Sequence, residues 1–257
     1  MEPVTLRAAE RRRLAPLAAA LARARAPGPP RLELVAGDLA PGRRHGLLAG
    51  TFNPFTRAHA ALAVAGHRAG CERVVLAMAP ASLDKQEVER AHSVDRLDWA
   101  RSWAVRHRWA AVAVSSHPLL VDMAEALRAA SAGEAVLLVG TDKAVQLVEP
   151  RYYDDPEAAL ARLAAAASVM VAERAGVPEG GTRLGGRPLA TPGSVAALSA
   201  TRARTVAAAG GDLRDLVPAV VARAVERTRA YDPDPAPYLA RARALEGLVG
   251  RPGGGRA

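Results

Sequence analysis

Cysteine is nearly missing from the 257-residue sequence: Cys71 stands alone, which excludes an intramolecular disulfide and any cysteine-built zinc centre. Isoleucine is absent, lysine occurs only at Lys85 and Lys143, asparagine only at Asn53, and phenylalanine only at Phe52 and Phe55. No apolar run approaches the roughly 18 residues that a membrane span needs. The N-terminal stretch, with Arg11, Arg12 and Arg13, has no apolar signal-peptide block. A cytoplasmic protein with no membrane partner is therefore expected. Also missing are a GxxxxGK[ST] loop, zinc-ligand spacing and a nucleophile elbow, which removes several other enzyme classes.

What is abundant says less. The chain is 50% hydrophobic, enough for one sizeable core, so one main domain is expected. Its formal net charge of +9 suits an anionic partner. Arginine carries almost all of that charge, and the shortage of Ile, Lys and Asn matches a bias against AT-rich codons. Much of the arginine thus reads as a solvated surface, which argues against nucleic acid, while charge alone does not single out small-molecule nucleotides among anionic partners. The same bias gives weight to the rare residues. Both phenylalanines flank the only asparagine, so Gly50-Thr51-Phe52-Asn53-Pro54-Phe55 stands out, and Lys85 stands out more weakly.

The pattern along the chain divides it into a helical extension and linker (1–44), a main domain (45–212) and a C-terminal helical segment with a disordered tail (213–257). Met1 to about Arg25 reads as an amphipathic helix ended by Pro27, Pro29 and Pro30. Gly46–Gly50, Arg73–Met78, Ala111–Ser115, Ala135–Gly140 and Ser168–Ala172 read as buried strands separated by helical stretches. That alternation predicts an α/β fold, a doubly wound parallel sheet that binds ligands beyond the carboxyl ends of its strands. A Gly/Pro-rich loop follows Glu173, and helices are expected over Ser199–Ala209, Leu213–Tyr231 and Pro237–Leu248.

The first strand runs into Gly50–His59. Gly50 permits tight backbone geometry, Pro54 fixes the turn, and a helix starting near Thr56 would aim its N–H groups at a phosphate. Thr56 and His59, three apart, would share its first turn. The segment GTFNPFTRAH resembles the GxFxPxHxGH signature, in its TxxH variant, of the cytidylyltransferase-like nucleotidyltransferases. It is most similar to that of nicotinamide or nicotinate mononucleotide adenylyltransferases. Thr56 and Ala58 replace the His and Gly of many members. Leu198–Arg204 resembles the family's ISSTxxR, with Ser199, Thr201 and Arg204 matching, and Val139–Asp142 resembles its GxD.

The resemblance spans about His45–Leu213 and implies a Rossmann-like nucleotidyltransferase fold with an N-terminal helix and a small C-terminal helical lobe. It implies that an acceptor phosphate attacks the α-phosphorus of a nucleoside triphosphate directly, with pyrophosphate leaving. His59, Thr56 and Arg204 would then serve the triphosphate. Gly50, Thr51, Phe52, Gly140, Asp142, Ser199 and Thr201 would bind the nucleotide, and Lys85 and His117 the acceptor. Mg²⁺ would be held by substrate and water, with no protein-built metal site. AMP transfer from ATP to a pyridine mononucleotide is the leading reading. Cytidylyl or adenylyl transfer to another phosphorylated acceptor, such as phosphopantetheine, is the alternative, and a catalytically silent nucleotide-binding protein the third. Taken singly, each residue has a plainer role: His59 as a hydrogen-bonded helix-start histidine, Thr201 or Asp142 as a cap, Arg204 as an exposed helix arginine, Lys85 as a solvated loop residue. His117 and the three tryptophans read as packing residues. The sequence leaves room for a homo-oligomer.

Overall fold

Successive side chains of a strand point to opposite faces of a sheet, and here the alternation is apolar on both faces. Leu48, Val74, Leu76, Val112, Val114, Val136 and Leu138 enter one hydrophobic cluster. Their neighbours Leu47, Val75, Ala77, Ala111, Ala113, Leu137 and Val139 enter another. A sheet buried on both faces needs helices on both, and the chain supplies three layers.

The computed structural model describes residues 6–79, 91–147, 152–172 and 186–250. Its strands are β1 (Leu32–Ala36), β2 (Arg44–Ala49), β3 (Arg73–Met78), β4 (Ala110–Ser115), β5 (Glu134–Gly140), β6 (Ala167–Ala172) and β7 (Arg187–Pro188). Its helices are α1 (Ala8–Arg25), α2 (Arg57–Arg68), α3 (Ser93–Ala104), α4 (Leu120–Ser131), α5 (Thr141–Gln146), α6 (Pro156–Ala166), α7 (Ala200–Ala208), α8 (Ala219–Thr228) and α9 (Ala236–Val249). The described strands form one sheet in the order β1-β4-β3-β2-β5-β6-β7. All pairs are parallel except β1 with β4. The doubly wound parallel sheet expected from the sequence is thus present, with strand limits within two residues of those predicted.

The structure adds an element where a linker was expected. Residues 32–36 form β1, an antiparallel edge strand registered Leu32↔Ser115 to Ala36↔Val112. Helix α1 ends where expected and carries Pro16 inside it on an exposed position. Helices α1, α3, α7, α8 and α9 share the first cluster with α2, so the helices of both termini pack on the same core as the sheet. The helical pattern of 213–231 narrows to α8, which begins after Pro218 because proline cannot donate within a helix interior. Among the described residues no helix is long and apolar enough to cross a membrane.

Two glycines let α2 lie close over the sheet. A Cβ on Gly66 would stand 2.3 Å from Leu138 Cδ1, and one on Gly46 2.9 Å from the same atom. Leu138 of β5 therefore fills the space that both glycines leave, and it fixes α2 across β2 and β5.

Candidate active site

The strand order reverses between β2 and β5: the chain moves outward through β3 and β4 on one side, then through β6 and β7 on the other. A crevice outside the carboxyl ends is expected at such a switch point. The β2/β5 ladder stops at Leu47↔Leu137. The pairing of β2 with β3 continues to Ala49↔Ala77, and that of β5 with β6 to Gly140↔Ala172. The ends of β2 and β5 are thus bound to their outer neighbours beyond the point where they are bound to each other. Gly50–His59 leaves one lip of this opening and Gly140–Thr141 the other, with Thr141 starting α5 directly.

Thr56 is the N-cap of α2 and His59 its third residue, and the two form a reciprocal capping box with histidine in the place usually taken by Glu or Gln. Thr56 Oγ1 accepts from His59 N–H (3.4 Å), and His59 Nδ1 accepts from Thr56 N–H (2.9 Å). Because Nδ1 accepts from a backbone N–H, the proton of the neutral ring resides on Nε2, which then acts as a donor. Thr56 Oγ1 also lies 2.9 Å from Nδ1, and Thr56 is buried. Its hydroxyl, expected to share a phosphate with His59, meets both the ring and the N–H of that histidine.

Two aromatic rings complete the seat. Phe55 stacks on His59 (centroids 5.6 Å apart, planes 26°) and Phe52 meets it edge-on (5.3 Å, 89°). Both phenylalanines are fully buried, and Phe55 is backed by Trp103 at 5.1 Å. Phe52 adopts φ 47°, a left-handed conformation that bulky residues rarely hold, so the surroundings must stabilise it. Two of them are evident. Gly50 makes room, since a Cβ there would stand 2.6 Å from Phe52 Cε1. Arg96, buried on α3, donates from Nη1 to the Thr51 carbonyl (2.7 Å) and from Nη2 to Ser93 Oγ (2.8 Å). Arg96 had no sequence signal: nothing marks one arginine among so many.

Arg204 approaches from α7. Its Nη1 donates to the Asn53 carbonyl (3.0 Å) and its Nη2 to Thr201 Oγ1 (3.3 Å), which joins α7 to the loop carrying Phe52 and His59. The helix is capped by Ser199, whose Oγ accepts from Arg202 N–H (3.1 Å); Thr201 lies exposed in the first turn and is not the cap. His117 follows β4, two strands from β2 on the same edge of the sheet, with Nδ1 2.8 Å from Ser116 Oγ, which itself accepts from Arg31 N–H (2.9 Å). Arg31, just ahead of β1, thus helps to hold the His117 turn. Asp142 lies on α5, but its side chain, like all of Lys85, falls outside the described residues. The tryptophans serve packing: Trp99 and Trp103 are buried, and Trp109 stacks on His67 at 4.6 Å.

A doubly wound sheet with a histidine-bearing helix start at its switch point is a Rossmann-like arrangement. The family model "Cytidylyltransferase-like" matches residues 47–177, more than half of the chain, and the chain belongs to that family. It is accordingly placed among the nucleotidyltransferases. No curated protein matches the sequence significantly. Among solved structures it is similar to a nicotinic acid mononucleotide adenylyltransferase of Plasmodium falciparum. The structure complexed with NaAD has TM-score 0.57 and 12% identity, over 74% of this chain and 97% of that one. The structure complexed with APC has TM-score 0.55 and 10% identity over the same shares. At such identities the likeness establishes the fold.

Proposed function

We propose that this protein transfers AMP from ATP to nicotinate or nicotinamide mononucleotide and releases pyrophosphate. The observation that carries the reading is the His59 seat: an imidazole at a helix start, in the switch-point crevice, held with Nε2 as donor by Thr56 and two phenylalanines. A donor in that position, with the N–H groups of α2, suits charge that grows on a triphosphate as its α-phosphorus is attacked. Arg204 adds a delocalised cation whose planar fork suits phosphate oxygens.

In this reading His59 and Arg204 touch the triphosphate, and Thr56 acts through His59 as a positioning residue. The backbone of Gly50–Phe52 faces the nucleotide, joined by Gly140, Asp142, Ser199 and Thr201. Lys85, which follows β3 in sequence, and His117, which follows β4, meet the acceptor. No nucleophile of the protein is needed, since an acceptor phosphate oxygen forms the new P–O bond as the bond to pyrophosphate breaks. Among the described residues no group of three or more His, Cys, Asp or Glu forms a metal cage. The donors gathered in the crevice, an imidazole, a guanidinium and backbone N–H groups, suit phosphate oxygens rather than a cation. Mg²⁺ would therefore ride on the triphosphate with water and supply charge neutralisation there.

The test is pyrophosphate release with Mg²⁺, ATP or CTP, and a panel of nicotinate mononucleotide, nicotinamide mononucleotide and phosphopantetheine. Release with ATP and a pyridine mononucleotide is expected, with kcat falling about 10²–10³-fold in His59→Ala. Release with CTP or phosphopantetheine alone would replace the substrate assignment, and no release from any pair would overturn the reaction.

A further inference from the structure

Asn53, the only asparagine of the chain, is 4% exposed and joins elements far apart in sequence. Its side-chain oxygen accepts from Ala91 N–H (3.1 Å), just ahead of α3, and from the Tyr231 hydroxyl (2.7 Å), beyond α8. Its main-chain oxygen accepts from Arg204 Nη1 (3.0 Å). Asn53 also follows Phe52, whose left-handed φ and edge contact with His59 depend on the path of this turn. One residue thus links the orientation of the histidine to that of the arginine.

Tyr231 is built to hold that link. It is buried, its ring meets Trp99 edge-on at 6.0 Å, and burial pushes its hydroxyl pKa far up, so the phenol stays protonated and a donor. It lies outside the 47–177 family match. We infer that Tyr231 is a positioning residue of the nucleotide site: its hydroxyl locks the Asn53 amide and thereby fixes the carbonyl that aims Arg204 at the triphosphate. The inference rests on the proposed role of Arg204 and deepens it.

Tyr231→Phe removes one hydroxyl and keeps the ring against Trp99, while Ala91 N–H still satisfies the Asn53 oxygen, so the fold is expected to survive. The loss of one neutral hydrogen bond at a positioning site corresponds to about a 5–10-fold rise in KM for ATP. The acceptor KM should stay unchanged. In an Arg204→Ala background the same substitution should add nothing, because the route to the triphosphate is already cut. Equal changes in both KM values, additivity with Arg204→Ala, or wild-type kinetics would each overturn the inference. If wild type releases no pyrophosphate with any pair, the transferase reading fails and ATP titration calorimetry decides instead. Weaker ATP binding by Tyr231→Phe than by wild type supports the inference; equal binding, or none by wild type, overturns it. Should Tyr231→Phe not fold, Asn53→Ala, which takes the acceptor from the Tyr231 hydroxyl, is expected to raise KM for ATP at least about 5-fold and leave the acceptor KM unchanged, and a wild-type KM for ATP there would overturn the inference.

Discussion

Substituting Gly50 by alanine should damage stability and catalysis together, for one geometric reason. The new Cβ would stand 2.6 Å from Cε1, 3.0 Å from Cδ1 and 3.2 Å from Cζ of Phe52. The ring cannot yield easily: it is fully buried, with Phe55 at 5.5 Å and His59 at 5.3 Å. Overpacking of this kind costs about 1–3 kcal/mol, which for a chain of this size lowers Tm by about 2–10 °C. Any retreat of Phe52 presses on the His59 ring, and a displacement of about an ångström at a reacting group can lower kcat/KM by about 10²-fold. Thermal denaturation and pyrophosphate release on the same preparation test both. Gly193→Ala, where no atom lies within 4 Å of the added Cβ, is the control and should change neither. The decisive assay is the pair with Phe52→Leu, which removes the ring edge. In that background Gly50→Ala should cost at least about 1 kcal/mol less than in wild type. An unchanged cost would refute the collision.

Further expectations follow from single contacts. Arg204→Lys keeps the charge but loses the fork that bonds Asn53 and Thr201, so under the proposed role KM for ATP should rise about tenfold in steady-state assays while Tm holds. His92 caps α3 by accepting Val94 N–H at Nδ1 (3.2 Å), with Nε2 2.8 Å from Glu246. Burial holds its pKa below 6.5 although Glu246 opposes the shift. The folded state therefore prefers neutral His92: above pH 6.5 both states are neutral, and as pH falls through 6.5 only the unfolded state takes up the proton, so stability declines. Urea denaturation at about pH 7.5 and 5.5 should show that decline, reduced in His92→Gln. Arg241→Met takes the bidentate partner from Asp95 while α9 still covers it, and should cost about 3–5 kcal/mol; an unchanged midpoint in urea denaturation would contradict this.

The sequence made the central sheet legible because each strand is an apolar run set off by helical patterns. It hid β1, because Leu32–Ala36 follows a proline cluster and its partner β4 lies some eighty residues on, a pairing that local pattern does not reveal. The rarity of Phe52, Asn53 and Phe55 marks the site loop, but their work there depends on tertiary contacts that the sequence does not display. The phenylalanines frame His59, and Asn53 ties the loop to α7 and to Tyr231. Thr56 was legible as a partner of His59, while the direction of its hydroxyl, toward the imidazole, depends on the helix start having formed.

Helix α3 explains why the rest could not be read. Its sequence SVDRLDWARSWA looks like a polar, solvated helix, yet Asp95, Arg96 and Asp98 are all buried. Each is buried because a partner from a distant part of the chain meets it. Asp95 takes a bidentate pair with Arg241 (2.7 and 3.0 Å) and the Tyr238 hydroxyl (3.0 Å) from α9, and Arg241 also reaches Glu10 of α1 (2.7 Å). Asp98 pairs with Arg13 of α1 and Arg101. Arg96, between them in sequence, turns to the Thr51 carbonyl of the site loop. Buried charges persist only when paired and hydrogen-bonded, so none of these three could stay buried without the terminal helices or the loop. The same helix that binds α1 and α9 thereby also steadies the Gly50–Phe52 backbone. That is why the two chain ends, which carry no part of the family match, belong to the physical machinery of the site: they complete the charge pairs that allow α3 to be buried where its arginine can hold the loop.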